Sequence, residues 1–159
     1  MSETGFSGPQ LPAVGLVDSL STEDRALLSS YGQFSYVAAG AVLIEQGDPQ
    51  EFLYFLISGN LHAKSSDREI LLGHIRAGEW FGEINIFDPA AALATVVAMD
   101  NSQIWRISRA ELQQFFEHYP TPAFQLTVGI AMGLSRRLRG VTAQLIKKTD
   151  YDHILADLT

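Results

Sequence analysis

The chain has 159 residues, 47% of them hydrophobic and 18% charged, with a net charge of −7 and no cysteine. That length holds one domain with a sizeable core, and the composition is that of a folded globular chain rather than a disordered one. The acidic balance argues against duplex DNA as a partner, because DNA binding needs a basic face that releases counterions. Without cysteine there is neither a disulfide framework nor a thiolate metal site. The start, MSETGFSGPQLP, lacks the basic and apolar runs of a secretory signal, and no apolar stretch reaches membrane-spanning length. The expectation is a cytoplasmic protein without a membrane partner.

In chain order, residues 1–12 carry Ser, Gly and Pro without periodicity and are expected to form a flexible arm. STEDRALLSSYG then predicts a short helix, with Ser21 as its cap, Glu23 and Asp24 at its positive end and Gly32 as its stop. From Phe34 to Ile107 short β-rich runs (FSYV, AVLIEQGDP, FLYFLISGN, LHAK, EILLGHI, ATVVAMDN, SQIWRIS) alternate with turn residues. Gly40, Gly47-Asp48-Pro49, Gly59-Asn60 and Asp100-Asn101 punctuate them, which predicts a mainly β sandwich, barrel or jelly roll. Only WFGEINIFDPAAALATVVA, Trp80 to Ala98, interrupts the pattern, being too rich in alanine to be all strand.

The last third reads as helix. Ser108 and Glu111 carry the capping-box signature at the head of SRAELQQFF, and Thr121-Pro122 offers a cap followed by proline at the first helical position. AFQLTVGIAMGLSRRLRGVTAQLIKK then runs without proline to Lys148, weakened by Gly129, Gly133 and Gly140 at about 1 kcal/mol each relative to Ala. In its earlier half Phe124, Val128, Ile130 and Met132 are expected to face the β core. In its later half Ala131, Leu134, Leu138, Val141 and Leu145 alternate at spacings of three and four, the seam of a coiled coil, and predict a homodimer. Residues 149–159 form an acid-leaning tail, read equally as a short packed helix or a frayed end.

Candidate chemistry centres on GEWFGEI. Gly78 permits a tight turn, Gly82 lets backbone approach a ligand, and the segment from Glu83 to Phe87 suits one helical turn with free N–H groups for an anion. Glu83 could instead accept from sugar hydroxyls. His62, His74, His118 and His153 are dispersed, with no H-x-H or H-E-x-x-H pair, so no metal site is expected, although His62 and His74 could face each other on adjacent strands. Ser65 and Ser66 sit beside Asp67 in a hairpin turn with no base at a defined spacing, and no catalysis is expected.

A helix, about eight short strands, a loop-helix insertion between late strands and a long terminal helix succeed one another in this chain. VLIEQGDPQEFLYFLISGNLHA, ILLGHIRAGEWFGEINIF, ISRAELQQFFEHYP and GLSRRLRGVT carry the likeness. In this order they resemble the cyclic-nucleotide-binding domain family, in particular the amino-terminal domain of the catabolite activator protein. The resemblance implies a jelly roll, or double-stranded β-helix, with flanking helices over residues 13–120 and a long dimerisation helix over 121–148. It implies a non-catalytic regulatory domain with no cofactor, cyclic AMP or cyclic GMP being its ligand. Gly82, Glu83 and Ile84 would line the phosphate loop, with Glu83 accepting from the ribose 2′-hydroxyl. Arg137 would reach Glu83 from the long helix and close the pocket, and Val141 and Thr142 would approach the base. Transcription factors of this family carry a helix-turn-helix after that helix. TDYDHILADLT is far short of one, so no direct contact with nucleic acid is expected.

The loop departs from the family pattern of Arg, then a small residue, then Ala. Ala92 stands at the Arg position and Leu93 at the next, in a loop one residue shorter. A phosphodiester buried without a partner costs several kcal/mol, which a charge-assisted Arg pair normally offsets. Losing that pair costs about 2–5 kcal/mol, roughly thirty- to several-thousand-fold in affinity. Arg76, Arg136 and Arg139 are not expected to replace it, and Arg137 is claimed by Glu83. This leaves two expectations. One is a sensor that binds cyclic nucleotide weakly, or a less anionic molecule, and signals through its C-terminal helix. The other is a dimerising or regulatory-protein-binding scaffold with a degenerate pocket. A cavity that is open and polar near Glu83 favours the first, and plugging by Leu93 or Phe87 favours the second.

Overall fold

The computed structural model describes residues 8–157, the side chains of Ile84 and Asn85 apart. Helix α1 (Thr22–Tyr31) opens on Ser21, whose Oγ accepts the Asp24 amide, and stops at Gly32, as its sequence predicts. Strands β1 (Gln33–Val37), β2 (Val42–Ile44), β3 (Phe52–Ser58), β4 (Asn60–Ser65), β5 (Ile70–Arg76) and β6 (Trp80–Phe81) come next. Helix α2 (Glu83–Phe87) then leads to β7 (Thr95–Ala98), β8 (Ser102–Ser108), α3 (Arg109–His118) and α4 (Pro120–Ala156). The strands make two four-stranded antiparallel sheets, ordered β1-β8-β3-β6 and β2-β7-β4-β5. This is the expected jelly roll with a long C-terminal helix.

The period of the strands explains why there are two cores. Along β3, Leu53 and Phe55 join Trp80, Trp105 and Ile107 under the helices, whereas Tyr54 and Leu56 turn the other way, between the sheets, with Leu61, Val96 and Ile104. A strand covered on both faces reads as one apolar run, and FLYFLI is such a run. Ser108 accepts the Glu111 amide and Glu111 accepts the Ser108 amide, completing the predicted capping box of α3.

Several expectations change. The end of the expected arm belongs to the fold. Leu11 is buried, its amide donates to Ser29 Oγ and its carbonyl accepts from Arg25 Nε, while residues 1–7 lie outside the described residues. Helix α4 starts at Pro120 behind Tyr119, without a side-chain cap from Thr121, since prolines in a first turn have no N–H to satisfy. Its core face is Pro122, Ala123, Leu126 and Ile130. Phe124 and Met132, expected inside, are 70% and 51% exposed, and Val128 is exposed too. The helical period sets that row on roughly the opposite side of the helix from Ala123 and Ile130. Gly129 lies against the 3-10 turn Gly15–Val17, where a Cβ would force the Leu16 side chain to shift. Finally, α4 continues past Lys148 through the expected tail to Ala156, and every residue from Ser135 to Asp157 is exposed.

Leu126, fully buried where α4 meets the helix-side core, should be a stability anchor. Leu126→Ala is expected to lower unfolding free energy by about 2–5 kcal/mol in a urea titration monitored by circular dichroism.

Candidate functional site

The insertion between β6 and β7 builds one wall of a cavity of about 490 Å³, within the range of small-ligand sites. Gly82 turns the chain out of β6 at a φ of +83°, and a Cβ there would stand 2.6 Å from the Phe52 carbonyl oxygen. Both the left-handed backbone and the close approach exclude other residues. The Gln50 side chain fills the corner beside Gly82, its Nε2 donating to the Phe52 carbonyl at 2.9 Å. Beneath the turn Phe81 stacks on Tyr54 with ring centroids 4.7 Å apart.

Glu83 opens α2, is 4% exposed and lines the cavity. Arg137 comes from α4 with its guanidinium forked. Nη1 donates to Glu83 Oε1 and Nη2 to the Trp80 carbonyl, so both strand exit and carboxylate are held by one side chain. A buried carboxylate needs such a partner, and the fork supplies it.

The far side of the cradle is set by hydrogen bonds to the β2–β3 turn. The Ala92 amide donates to the Asp48 carbonyl and the Gly47 amide to the Ala92 carbonyl, each at 2.9 Å, and Ala91 bridges Pro49. Ala92 is thereby buried against the cavity and presents only a methyl group to it. Leu93 lines the mouth yet is 71% exposed, so it does not plug the cavity, and Phe87 is not among the lining residues.

Of the expected site residues, Gly82, Glu83, Ala92, Leu93, Arg137 and Val141 all line the cavity. The side chain of Ile84 lies outside the described residues. Thr142 does not line the cavity, and its hydroxyl donates to the Leu138 carbonyl of its own helix. The reason is the helical period: Arg137, Gly140, Val141 and Gln144 share the inward face and Thr142 falls off it. Gln144, Gly140, Gln50, Gly73 and Glu79 were missed. The 137–140–141–144 spacing is the one signal in the sequence that could have found two of them. His62 and His74 do face each other across β4 and β5, ring centroids 4.3 Å apart and edge-on. Among the described residues no three His, Cys, Asp or Glu side chains group as a metal site.

The cyclic nucleotide-binding domain profile matches residues 34–119, more than half of the chain. The chain belongs to that family. The cAMP-dependent protein kinase regulatory subunit of Aspergillus fumigatus is 32% identical over 99 residues, 62% of this chain and 24% of that protein. The CRP-like protein Clp of Xanthomonas campestris pv. campestris is 32% identical over 101 residues, 60% of this chain and 44% of that protein. The chain thus matches less than half the length of these curated relatives. Among solved structures, the Thermus thermophilus catabolite activator protein aligns with a TM-score of 0.71 at 26% identity, covering 82% of this chain and 61% of that one. These relatives are regulatory proteins. Among the described residues no helix is long and apolar enough to cross a membrane.

Arg137→Ala strands the buried Glu83 carboxylate. With Arg137 about half exposed, the full penalty of a broken buried pair is screened, and a loss of roughly 1–3 kcal/mol is expected. Adding Glu83→Gln should recover most of it, read as a non-additive double-mutant cycle in thermal unfolding.

Proposed function

We propose that this chain is a non-catalytic ligand-sensing domain whose cavity holds cyclic nucleotides weakly and whose α4 helix carries the signal. The observation that supports it most is the open cavity, which Gly82, Glu83 and Arg137 line and which Leu93, 71% exposed, does not plug. The weakness stems from Ala92. A phosphate in this cradle would meet backbone amides and a methyl group, without the cation that offsets its desolvation.

The signal path rests on the same contacts. Past Leu134, α4 has no buried residue, and among the described residues Arg137 is the one side chain of this stretch that hydrogen-bonds to the cradle, through Glu83 and Trp80. A ligand hydroxyl competing for Glu83 would loosen that fork and shift the helix. Such coupling has a defined origin, since a ligand moves an equilibrium only through contacts that differ between its states.

The exposed half of α4 supports self-association. Leu138, Val141 and Leu145 are 68%, 53% and 60% exposed on one stripe, in a helix far too long to be stabilised by its own packing. Leu134 partly packs against the domain core, so the seam would start at the domain and run outward. The alternative reading, a scaffold that binds only a second copy or a regulatory protein, is favoured by one observation: Glu83 Oε1 has its partner within the protein, in Arg137.

Calorimetric titration separates the readings. Native protein should bind cyclic AMP or cyclic GMP at least about thirtyfold more weakly than Ala92→Arg does, the low end of what a phosphate–arginine pair contributes. No binding by either protein would overturn the sensing reading in favour of the scaffold. Separately, Leu138→Glu should halve the mass measured by light scattering, and an unchanged mass would remove Leu138 from the interface.

A further inference from the structure

The chemistry lining the cavity narrows the ligand beyond a cyclic nucleotide held weakly, an inference that rests on the sensing reading. Charge, shape and polarity each bear on it. The cavity is lined by a single guanidinium, Arg137, against two carboxylates, Glu79 and Glu83. Both guanidinium arms that the structure shows donating go to protein acceptors, Glu83 Oε1 and the Trp80 carbonyl. His74 also lines the cavity, exposed and edge-on to His62. An anion entering this cavity meets a negative balance, whereas a neutral molecule does not.

Shape points the same way. Gly73 on β5 and Gly140 on α4 both line the cavity, and a Cβ built on either meets nothing within 4 Å. Neither glycine is required by a left-handed backbone, and neither is needed for protein packing. Each leaves open space where a side chain would stand, at Gly73 on the sheet wall and at Gly140 on the helix wall, and this space is the Gly73–Gly140 slot. Polarity completes the pattern. Gln144, one turn beyond Gly140 on the inward face, has an amide with no partner among the described residues. An amide offers a donor and an acceptor side by side, which matches the edge of a purine. At the opposite wall, the Oε2 of buried Glu83 likewise has no partner among the described residues, and a carboxylate oxygen accepts from a hydroxyl.

We propose that the cavity takes an uncharged nucleoside: its heterocycle lies in the Gly73–Gly140 slot, its base edge is read by Gln144, and its sugar hydroxyls donate to Glu83 Oε2. The apolar remainder, Ala92 and Leu93, then faces the unphosphorylated 5′ side of the sugar, where no countercharge is needed.

The test is calorimetric titration of adenosine, guanosine and inosine into the full chain, beside the corresponding 3′,5′-cyclic monophosphates. At least one nucleoside should bind about tenfold or more tightly than its own cyclic monophosphate, and Ala92→Arg should reverse that order. Gln144→Ala, at an exposed helix position that leaves the fold intact, should weaken nucleoside binding by about tenfold. Gly140→Leu, which fills the slot while suiting a helix, should abolish it. Tighter binding of the cyclic monophosphate by native protein overturns the proposal, as does unchanged nucleoside binding in both the Gln144 and Gly140 variants. If no nucleoside binds while Ala92→Arg still takes cyclic AMP, the nucleoside assignment fails and the sensing reading stands. If Ala92→Arg takes nothing either, both fail together.

Discussion

The fork that Arg137 throws from α4 onto Glu83 and the Trp80 carbonyl is the constraint around which this molecule is arranged. A carboxylate buried at the start of a short helix is unfavourable by itself, and it needs a partner that reaches in from elsewhere. The partner comes from a helix whose preceding turns are pinned by Leu126 and Ile130 to the helix-side core. The jelly roll positions the carboxylate, the core positions the helix, and the ion pair joins them. One side chain thus joins the cavity to a helix that is exposed from Ser135 to Ala156.

Glycine shapes the site in opposite ways at its two ends. Gly82 is demanded by the backbone, with a left-handed φ and a carbonyl too close for a Cβ. Gly73 and Gly140 are demanded by nothing in the protein and leave empty space. The difference separates a glycine that builds the turn from glycines that leave the cavity wide. Ala92 belongs with the second kind, since its backbone is fixed by Gly47 and Asp48 while its side chain carries no structural duty beyond a methyl group. A loop can thus keep its geometry through main-chain hydrogen bonds and change its ligand chemistry through one side chain. The chain belongs to the cyclic nucleotide-binding domain family, and under the proposed reading the side chains at 92 and 144 set what its cavity takes.

Much of the fold was legible in the sequence because the interactions involved are local. The caps at Ser21 and Ser108, the period-two strands and the turn glycines each depend on residues only a few positions apart. The Arg137–Glu83 pairing was legible as well, though only through the order of motifs along the whole chain, since nothing local joins residues on α2 and α4. The same sequence was misread where side chains must choose between faces. Phe124 and Met132 are as hydrophobic as Leu126 and Ile130, and only the way α4 packs against α3 and the 3-10 turn Gly15–Val17 decides which pair is buried.

By itself, then, the sequence determined the element order, the jelly-roll class, the cradle from Gly82 onward and the absence of a cation at Ala92, all of which depend on residue identity and short-range pattern. The tertiary structure alone decided that Leu11 docks, that α4 extends as one rod through Ala156, and that Gln144 rather than Thr142 turns toward the cavity. It also decided that Leu93 stands aside and leaves the cavity open. These outcomes depend on where separate elements settle against one another. That placement is fixed by packing many side chains at once, and no local stretch of sequence contains it.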